Sequence, residues 1–371
     1  MSSTLGAVVA ALEQLYPPAL AESWDSVGLV LGDPAAEVRS VLFAVDPVEA
    51  VLPETAGHQL LVTHHPLWLG GTESMAATDP KGRFAHALVT QGCGLFVAHT
   101  NADRAAPGVS DALAALFDLQ DLVPLEAVPE PVDKLVFFVP VADAERVTAA
   151  VTEAGAGQLG DYDCCTWSTT GTGTFRPLPG AQPAIGSVGE RASVEEARVE
   201  TLVRRTARAH VVQALLEAHP YETPAYDVVP LADLPSAQGM GRVGDLPTPL
   251  PLGDLVELAA RVLPATAWGV RASGDPSQVI SRLAVMGGSG SDAMGLAARA
   301  GAQAFLTSDL KHHNASEGPE GLALIDAAHW ATEHPWLHVA AQALARVVDV
   351  ETTVSTTCTD PFTTAVRSPQ A

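Results

Sequence analysis

The chain has 371 residues, 47 % of them hydrophobic and 17 % charged, which is enough apolar material for two or three cored domains rather than one. Its formal net charge of −23 argues against binding nucleic acid or an anionic membrane through overall charge, and no basic patch stands out to override it. None of the four cysteines, Cys93, Cys164, Cys165 and Cys358, forms a C-x-x-C pair, so the common thiolate zinc sites are set aside and a reduced compartment is expected. No signal-peptide pattern and no run of about 18 apolar residues occurs, so the expectation is a cytoplasmic protein without a membrane partner.

The predicted elements begin with Leu5, Val8, Val9, Leu12 and Leu15, an apolar stripe at helical spacing. Apolar runs at 41–45, 60–62 and 95–98 read as strands and 110–117 as a helix, so residues 1–128 are expected to be the first half of a layered α/β domain. Pro124, Pro129 and Pro131 mark a boundary. From 129 to 235 the order is strand 135–140, helix 142–154, a Gly- and Thr-rich segment at 168–175, strand 197–203, helix 207–218 and strand 225–230. That is the β-α-β-β-α-β order of a ferredoxin-like α+β insert. A Gly/Pro-rich stretch from Ser236 to Pro251 closes it, and strands at 283–286, 305–307 and 322–325 resume the α/β pattern. The prediction is therefore a discontinuous α/β metal-binding domain, 1–128 with 236–371, interrupted by the insert. Leu60–His64 and Ala304–Ser308 echo each other as apolar strands ending in Thr and a polar residue, a hint of two similar halves.

Three predicted strand ends carry the chemistry. His64-His65-Pro66 follows the strand at 60–62, and ligands of open α/β sheets gather beyond the carboxyl ends of strands. His99-Thr100-Asn101-Ala102-Asp103 follows the strand at 95–98; Asp103 offers a carboxylate able to bridge two ions, or a cap for the next helix. Asp326 to Glu333 follows the strand at 322–325, and a helix starting near Asp326 would put His329 and Glu333 at i and i+4 on one face. His64, His65, Asp103, His329 and Glu333 together supply three imidazoles and two carboxylates. Five such ligands exceed what one open catalytic ion needs and suit two divalent ions, Zn, Mn, Fe, Co or Ni rather than Ca or Mg. Glu333 and His99 are the candidates for proton transfer. Lys311, His312 and His313, after the strand at 305–307, are candidates for holding a substrate or anion, and could equally be a solvated loop. Gly287-Gly288-Ser289-Gly290-Ser291 resembles an anion-binding turn but lacks the nucleotide fingerprints.

These pieces resemble a known family, the dinuclear-metal GTP cyclohydrolase I type 2 homologues, also called Ngg-interacting-factor-three-like proteins. The resemblance lies in Trp24-Asp25-Ser26-Val27-Gly28-Leu29, Thr63-His64-His65-Pro66-Leu67, His99-Thr100-Asn101-Ala102-Asp103, the glycine turn at 287–291, Thr307 to His313, and Ala323 to Glu333, in order across nearly the whole chain. It implies that His64, His65, Asp103, His329 and Glu333 ligate two divalent ions, with His99 and His313 nearby. The chain departs from the usual family pattern at Ser308 and His312, outside the ligand set. The middle block, through Gly155-Ala156-Gly157, Thr170 to Phe175 and His219 to Asp227, is similar to the insert of longer members, whose order resembles trimeric PII signalling proteins. The resemblance further implies a homohexamer of two stacked trimers. The expected function is metal-dependent hydrolysis of a nucleotide or related small molecule; the alternative is a non-catalytic metal-binding or scaffold ring.

Overall fold

The computed structural model describes residues 3–232 and 236–366. The chain divides into two compact units, one made of 1–128 with 237–371 and the other of 129–236. The expected end of the insert at Pro235 lies outside the described residues.

The first unit is built on two main sheets. One has five strands in the order Glu351–Val354, Ser40–Ala44, Leu60–Thr63, Gly94–Val97, Gly28–Leu31; the first four run parallel and the last is antiparallel. The other has six, ordered Val270–Ser273, Ala323–Ala327, Ala304–Ser308, Val279–Ser289, Arg242–Pro251, Gln120–Val123, with a parallel centre and antiparallel flanks. Every residue of Leu60–Thr63, Gly94–Val97, Ala304–Ser308 and Ala323–Ala327 is buried. This is why the sequence shows them as unbroken apolar runs rather than alternating ones.

One apolar cluster joins the two sheets. It includes Phe43, Val62 and Phe96 from the first, and Val285, Leu306 and Ile325 from the second, with Trp336, Leu337 and Leu344 of the helix His329–Val347. Each large side chain buried there stabilises by about 1.5–3 kcal/mol, so this helix, which carries His329 and Glu333, is firmly seated. The opening helix Leu5–Leu15 is capped by Thr4, whose hydroxyl accepts from the Ala7 amide, and it buries Leu5, Val8 and Leu12.

Two sequence expectations change. Ser236 to Pro251 is not merely a closing segment: Gly239–Met240 and Arg242–Pro251 are strands, the latter inside the six-stranded sheet. Its register breaks between Asp245 and Leu250, so Pro247 and Pro249 fall where the ladder is already interrupted. The helix expected to start near Asp326 starts instead at His329, because Asp326 is still paired, opposite Thr307 on one side and Arg271 on the other. His329 and Glu333 keep their one-turn spacing.

The second unit runs strand Val132–Pro140, helix Ala144–Glu153, strand Thr166–Phe175, strand Ala192–Arg204, helix Arg208–Ala218, strand Tyr226–Pro230. Its sheet is antiparallel throughout, ordered second, third, first, fourth. Leu135, Phe137 and Val199 pack against Val147, Val151, Val211 and Leu215 of the helices. Among the described residues, no helix is long and apolar enough to cross a membrane.

Candidate metal centre

Four parallel strands deliver the site. Leu60–Thr63 ends in His64 and His65, and Gly94–Val97 leads through Ala98 to His99 and the short helix Thr100–Arg104 that holds Asp103. From the other sheet, Ala304–Ser308 ends in Asp309, and Ala323–Ala327 leads to His329 and, one helical turn on, Glu333.

The imidazoles are oriented from behind. His64 Nδ1 lies 2.9 Å from the Ala98 carbonyl, His65 Nδ1 2.7 Å from Asp46, His99 Nδ1 2.9 Å from Asp25 and His329 Nδ1 2.7 Å from Asp309. A carbonyl or carboxylate can only accept, so each Nδ1 carries its proton and each neutral ring turns an Nε2 lone pair inward. Glu333 sits among those nitrogens. Its Oε1 is 2.9 Å from His329 Nε2 and 3.5 Å from His64 Nε2, and its Oε2 is 3.2 Å from His65 Nε2. Asp103 Oδ1 stands 3.8 Å from His64 Nε2. Two groupings put donor atoms within 4.8 Å of one another, His64–His65–His99 and His65–His329–Glu333.

The cluster is deep. His64 is 1 % exposed and Glu333 3 %, and His64 rests on the buried Trp336 ring at 5.4 Å between centroids. His64 Nε2 and Glu333 Oε2 are buried without a hydrogen-bond partner. A lone pair facing a carboxylate in a buried site is repulsive unless a proton or a cation lies between them. Protonation records the same demand. Burial opposes charging His65, but Glu333 and then Asp46 overcome it and hold that imidazole up at about 11. His329, opposed by burial and favoured by Glu333 and Asp309, is held at about 9. His99, buried and facing His64, falls to about 4 despite Asp25. Burial lifts Asp103 to about 6 against the pull of His64. Glu333 would be raised by burial, yet His65, His64 and His329 keep it well below the usual carboxylate range. The donor set, its depth and its unpartnered atoms fit divalent cations.

The turn at 287–291 also makes room for the cluster. Gly288 is in the left-handed region at φ +65°, and a Cβ there would meet Glu333 Oε1 at 2.5 Å and His329 Nε2 at 3.1 Å. Gly288 clears space for the cluster, and its amide donates to Thr332 Oγ1 at 2.9 Å.

All five expected ligands, and His99 with them, come together. Lys311, His312 and His313 do not join them. Lys311 stands at the N-cap position of the short helix His312–Ser316, all three side chains are exposed, and His313 faces Glu317, just past that helix, at 3.6 Å. Sequence reading missed the orienting carboxylates Asp25, Asp46 and Asp309. Asp25 and Asp309 lie inside segments already singled out, but nothing local tells a carboxylate to reach a histidine 74 residues away. Two clefts reach the cluster past His65 and Asp46. One, of about 480 Å³, also passes His329 and Asp309; the other, of about 550 Å³, passes Lys81 and Arg83.

The Duf34/NIF3 (NGG1p interacting factor 3) family profile matches residues 3–361. A Mycobacterium tuberculosis protein named GTP cyclohydrolase 1 type 2 homolog is 49 % identical over 368 residues, covering 98 % of this chain and 97 % of its own. A Bacillus subtilis protein of the same name is 34 % identical over 364 residues, covering 96 % and 97 %. Among solved structures, a Bacillus cereus protein related to NIF3 superposes with a TM-score of 0.85 at 32 % identity, over 98 % of this chain and 99 % of that one. A Staphylococcus aureus protein superposes at 0.83 with 26 % identity and the same coverage. Whole-length agreement in sequence and in fold leads to one conclusion: the chain belongs to the Duf34/NIF3 family.

Proposed function

We propose that the cluster holds two divalent cations, and that the protein is a metal-dependent hydrolase acting on a nucleotide or related small molecule. The observation that carries this reading is the buried confrontation of His64 Nε2 with Glu333, while four imidazoles have their other nitrogen engaged from outside. Glu333 would serve both ions, since His64, His65 and His329 all face its carboxylate. His65 and His329 would complete one ion's set; His64, His99 and Asp103 would complete the other's. Because Glu333 faces imidazoles with both oxygens and His99 turns its Nε2 into the cluster, both are assigned as ligands ahead of proton transfer. Two ions in such a site supply Lewis acidity: they lower the pKa of a water and neutralise charge on a leaving oxygen.

The protein's own groups do the rest. Asp46, Asp309 and Asp25 fix the tautomers of His65, His329 and His99 and keep the rings from swinging. Trp336 and the strand ends close the floor, and the two clefts admit a small molecule along the His65 side. N and O ligands of this kind accept Zn, Mn, Fe, Co or Ni. The reading also carries a homohexamer with the β-α-β-β-α-β unit as its PII-like part, supported by the sequence resemblance; light scattering would test it.

The deciding experiment is elemental mass spectrometry on untagged protein, followed by a hydrolysis screen with nucleotides, phosphoesters and cyclic amides in the identified metal. Two equivalents per chain with turnover lost in His64→Ala is the expected result. Protein that takes up no metal after reconstitution would overturn the site; metal-loaded protein with no turnover on any of these classes would overturn the hydrolase.

A further inference from the structure

One wall of the 480 Å³ cleft is built from flat side chains that the metal chemistry does not use. Trp268 stands after the helix Leu252–Val262, on a turn that Gly269 allows with φ +68°. Arg271, on the edge strand Val270–Ser273, lays its guanidinium over the indole, 4.5 Å from the ring centroid. Its charge is already answered by Asp326, at 2.7 Å from Nε and 2.6 Å from Nη2. Phe362 continues the row, with its ring centroid 5.5 Å from Trp268 and the planes 36° apart.

This wall is tied to the metal centre. The Phe362 amide donates to Asp360 Oδ1 at 2.7 Å, and Asp360 is buried. One residue earlier, the Thr359 hydroxyl donates to Asp46 Oδ2, while Asp46 Oδ1 holds His65. A single carboxylate therefore positions both a candidate ligand and the segment bearing Phe362.

Trp268 is 38 % exposed and Phe362 60 %, and neither belongs to the apolar cores. Isolated exposed hydrophobics need no explanation. Two neighbouring aromatics, one of them under a guanidinium, inside a concave cleft that also exposes His65 and His329, are a different matter, because such surfaces bind flat rings.

We propose that Trp268, Phe362 and Arg271 form a ring subsite that takes a planar heteroaromatic ring by stacking. The subsite rests on the metal-dependent reading above and names the substrate's recognition element. Asp46, Asp309 and Asp360 make the cleft acidic, and Arg271 is already neutralised by Asp326, so the ring itself is uncharged or rich in N–H donors. An anionic group attached to it is turned toward the cation site.

The test compares GMP, which has a ring and a phosphate, with ribose 5-phosphate, which lacks the ring. Full-length zinc-reconstituted protein is titrated with each by calorimetry, with zinc content measured in every sample. GMP is expected to bind roughly 10- to 100-fold more tightly, the range that stacking of one base supplies. Trp268→Ala should remove that advantage, leave ribose 5-phosphate unchanged and keep the zinc; Trp268→Phe should restore most of it. Equal binding of the two probes, no binding of either up to about 1 mM, or an advantage that survives both Trp268→Ala and Phe362→Ala overturns the subsite. Wild-type protein that takes up no zinc yet still discriminates sinks the metal reading and leaves the subsite standing.

Discussion

His64-His65 and His312-His313 are the same dipeptide, each placed beyond the carboxyl end of a buried parallel strand, and their ring centroids are nearly equally spaced at 5.1 Å and 5.3 Å. Their surroundings differ. His64 and His65 are held by groups 34 and 19 residues away, and Glu333 reaches them from a helix on the other sheet. His313 has Glu317, four residues on at the end of its own short helix, and the pair is 84 % and 77 % exposed. An ion pair of that kind contributes about 0–1 kcal/mol. A histidine pair becomes a candidate metal site when distant elements fix its tautomers and bury its inward nitrogens, and sequence spacing alone does not convey that.

The strongest way to break the comparison is Glu333→Gln. The amide keeps the shape and removes the carboxylate that faces His64, His65 and His329 together. Bound metal should fall from about two equivalents to well under one, with the far-UV circular dichroism unchanged. His313→Ala, the counterpart in the other pair, should keep the full complement. Retention of two equivalents by Glu333→Gln would show that the cluster is not the metal centre.

Next in size is Asp46→Ala. Losing the partner behind a ligating histidine typically costs roughly 10- to 100-fold in metal affinity. Competition with a chromogenic chelator should show that loss, whereas Glu317→Ala, which removes the partner of His313, should show none. Equal affinities in both variants would mean that outer partners are not what separates the two pairs.

Much of this was legible in the sequence and some was not. Continuous apolar runs marked Ser40–Ala44, Leu60–Thr63 and Gly94–Val97 in one main sheet and Val279–Ser289, Ala304–Ser308 and Ala323–Ala327 in the other, because these inner strands are largely buried, whereas the four edge strands were not expected; the i, i+4 spacing of His329 and Glu333 survived a helix start three residues later than expected. The strand Arg242–Pro251 was hidden by its prolines, which sit at a register break that sequence does not reveal. Gly288 looked like part of an anion-binding turn, since a glycine that clears room for a carboxylate and one that cradles a phosphate are the same letter. Asp25, Asp46 and Asp309 could not be picked from 43 acidic residues, because their role depends on which strands become neighbours.

A smaller effect sharpens the comparison through pH. In metal-free protein His65 and His329 are held near 11 and 9, above the ordinary imidazole value of about 6.5. Raised folded-state values mean that their stabilisation is fully present below about pH 6.5 and is lost as pH rises through 9 and then 11. Glu333, held low, works the other way: its contribution is present above about pH 4.5 and lost in acid. The metal-free protein should therefore show its highest Tm between about pH 5 and 7 and a decline toward pH 10. Metal must displace those protons, so uptake should release protons and affinity should rise with pH from 6 to 9. Calorimetry in two buffers of different ionisation enthalpy would measure the release. A pH-independent affinity would mean the imidazoles are not the ligands.

The smallest expected effect is the double variant His312→Ala, His313→Ala. Both side chains are exposed, and neither lines the clefts that reach the cluster. Surface changes of this kind stay within about 0.5 kcal/mol of stability, so Tm, metal content and chelator competition should all match wild type. Turnover is the informative readout. Lys311, His312 and His313 earn a place in the chemistry only if something outside this chain's own fold, such as a second copy in a ring, brings a substrate to them. A double variant that keeps its metal but loses hydrolysis would establish that, and would make the exposed pair a part of the site that one chain cannot complete.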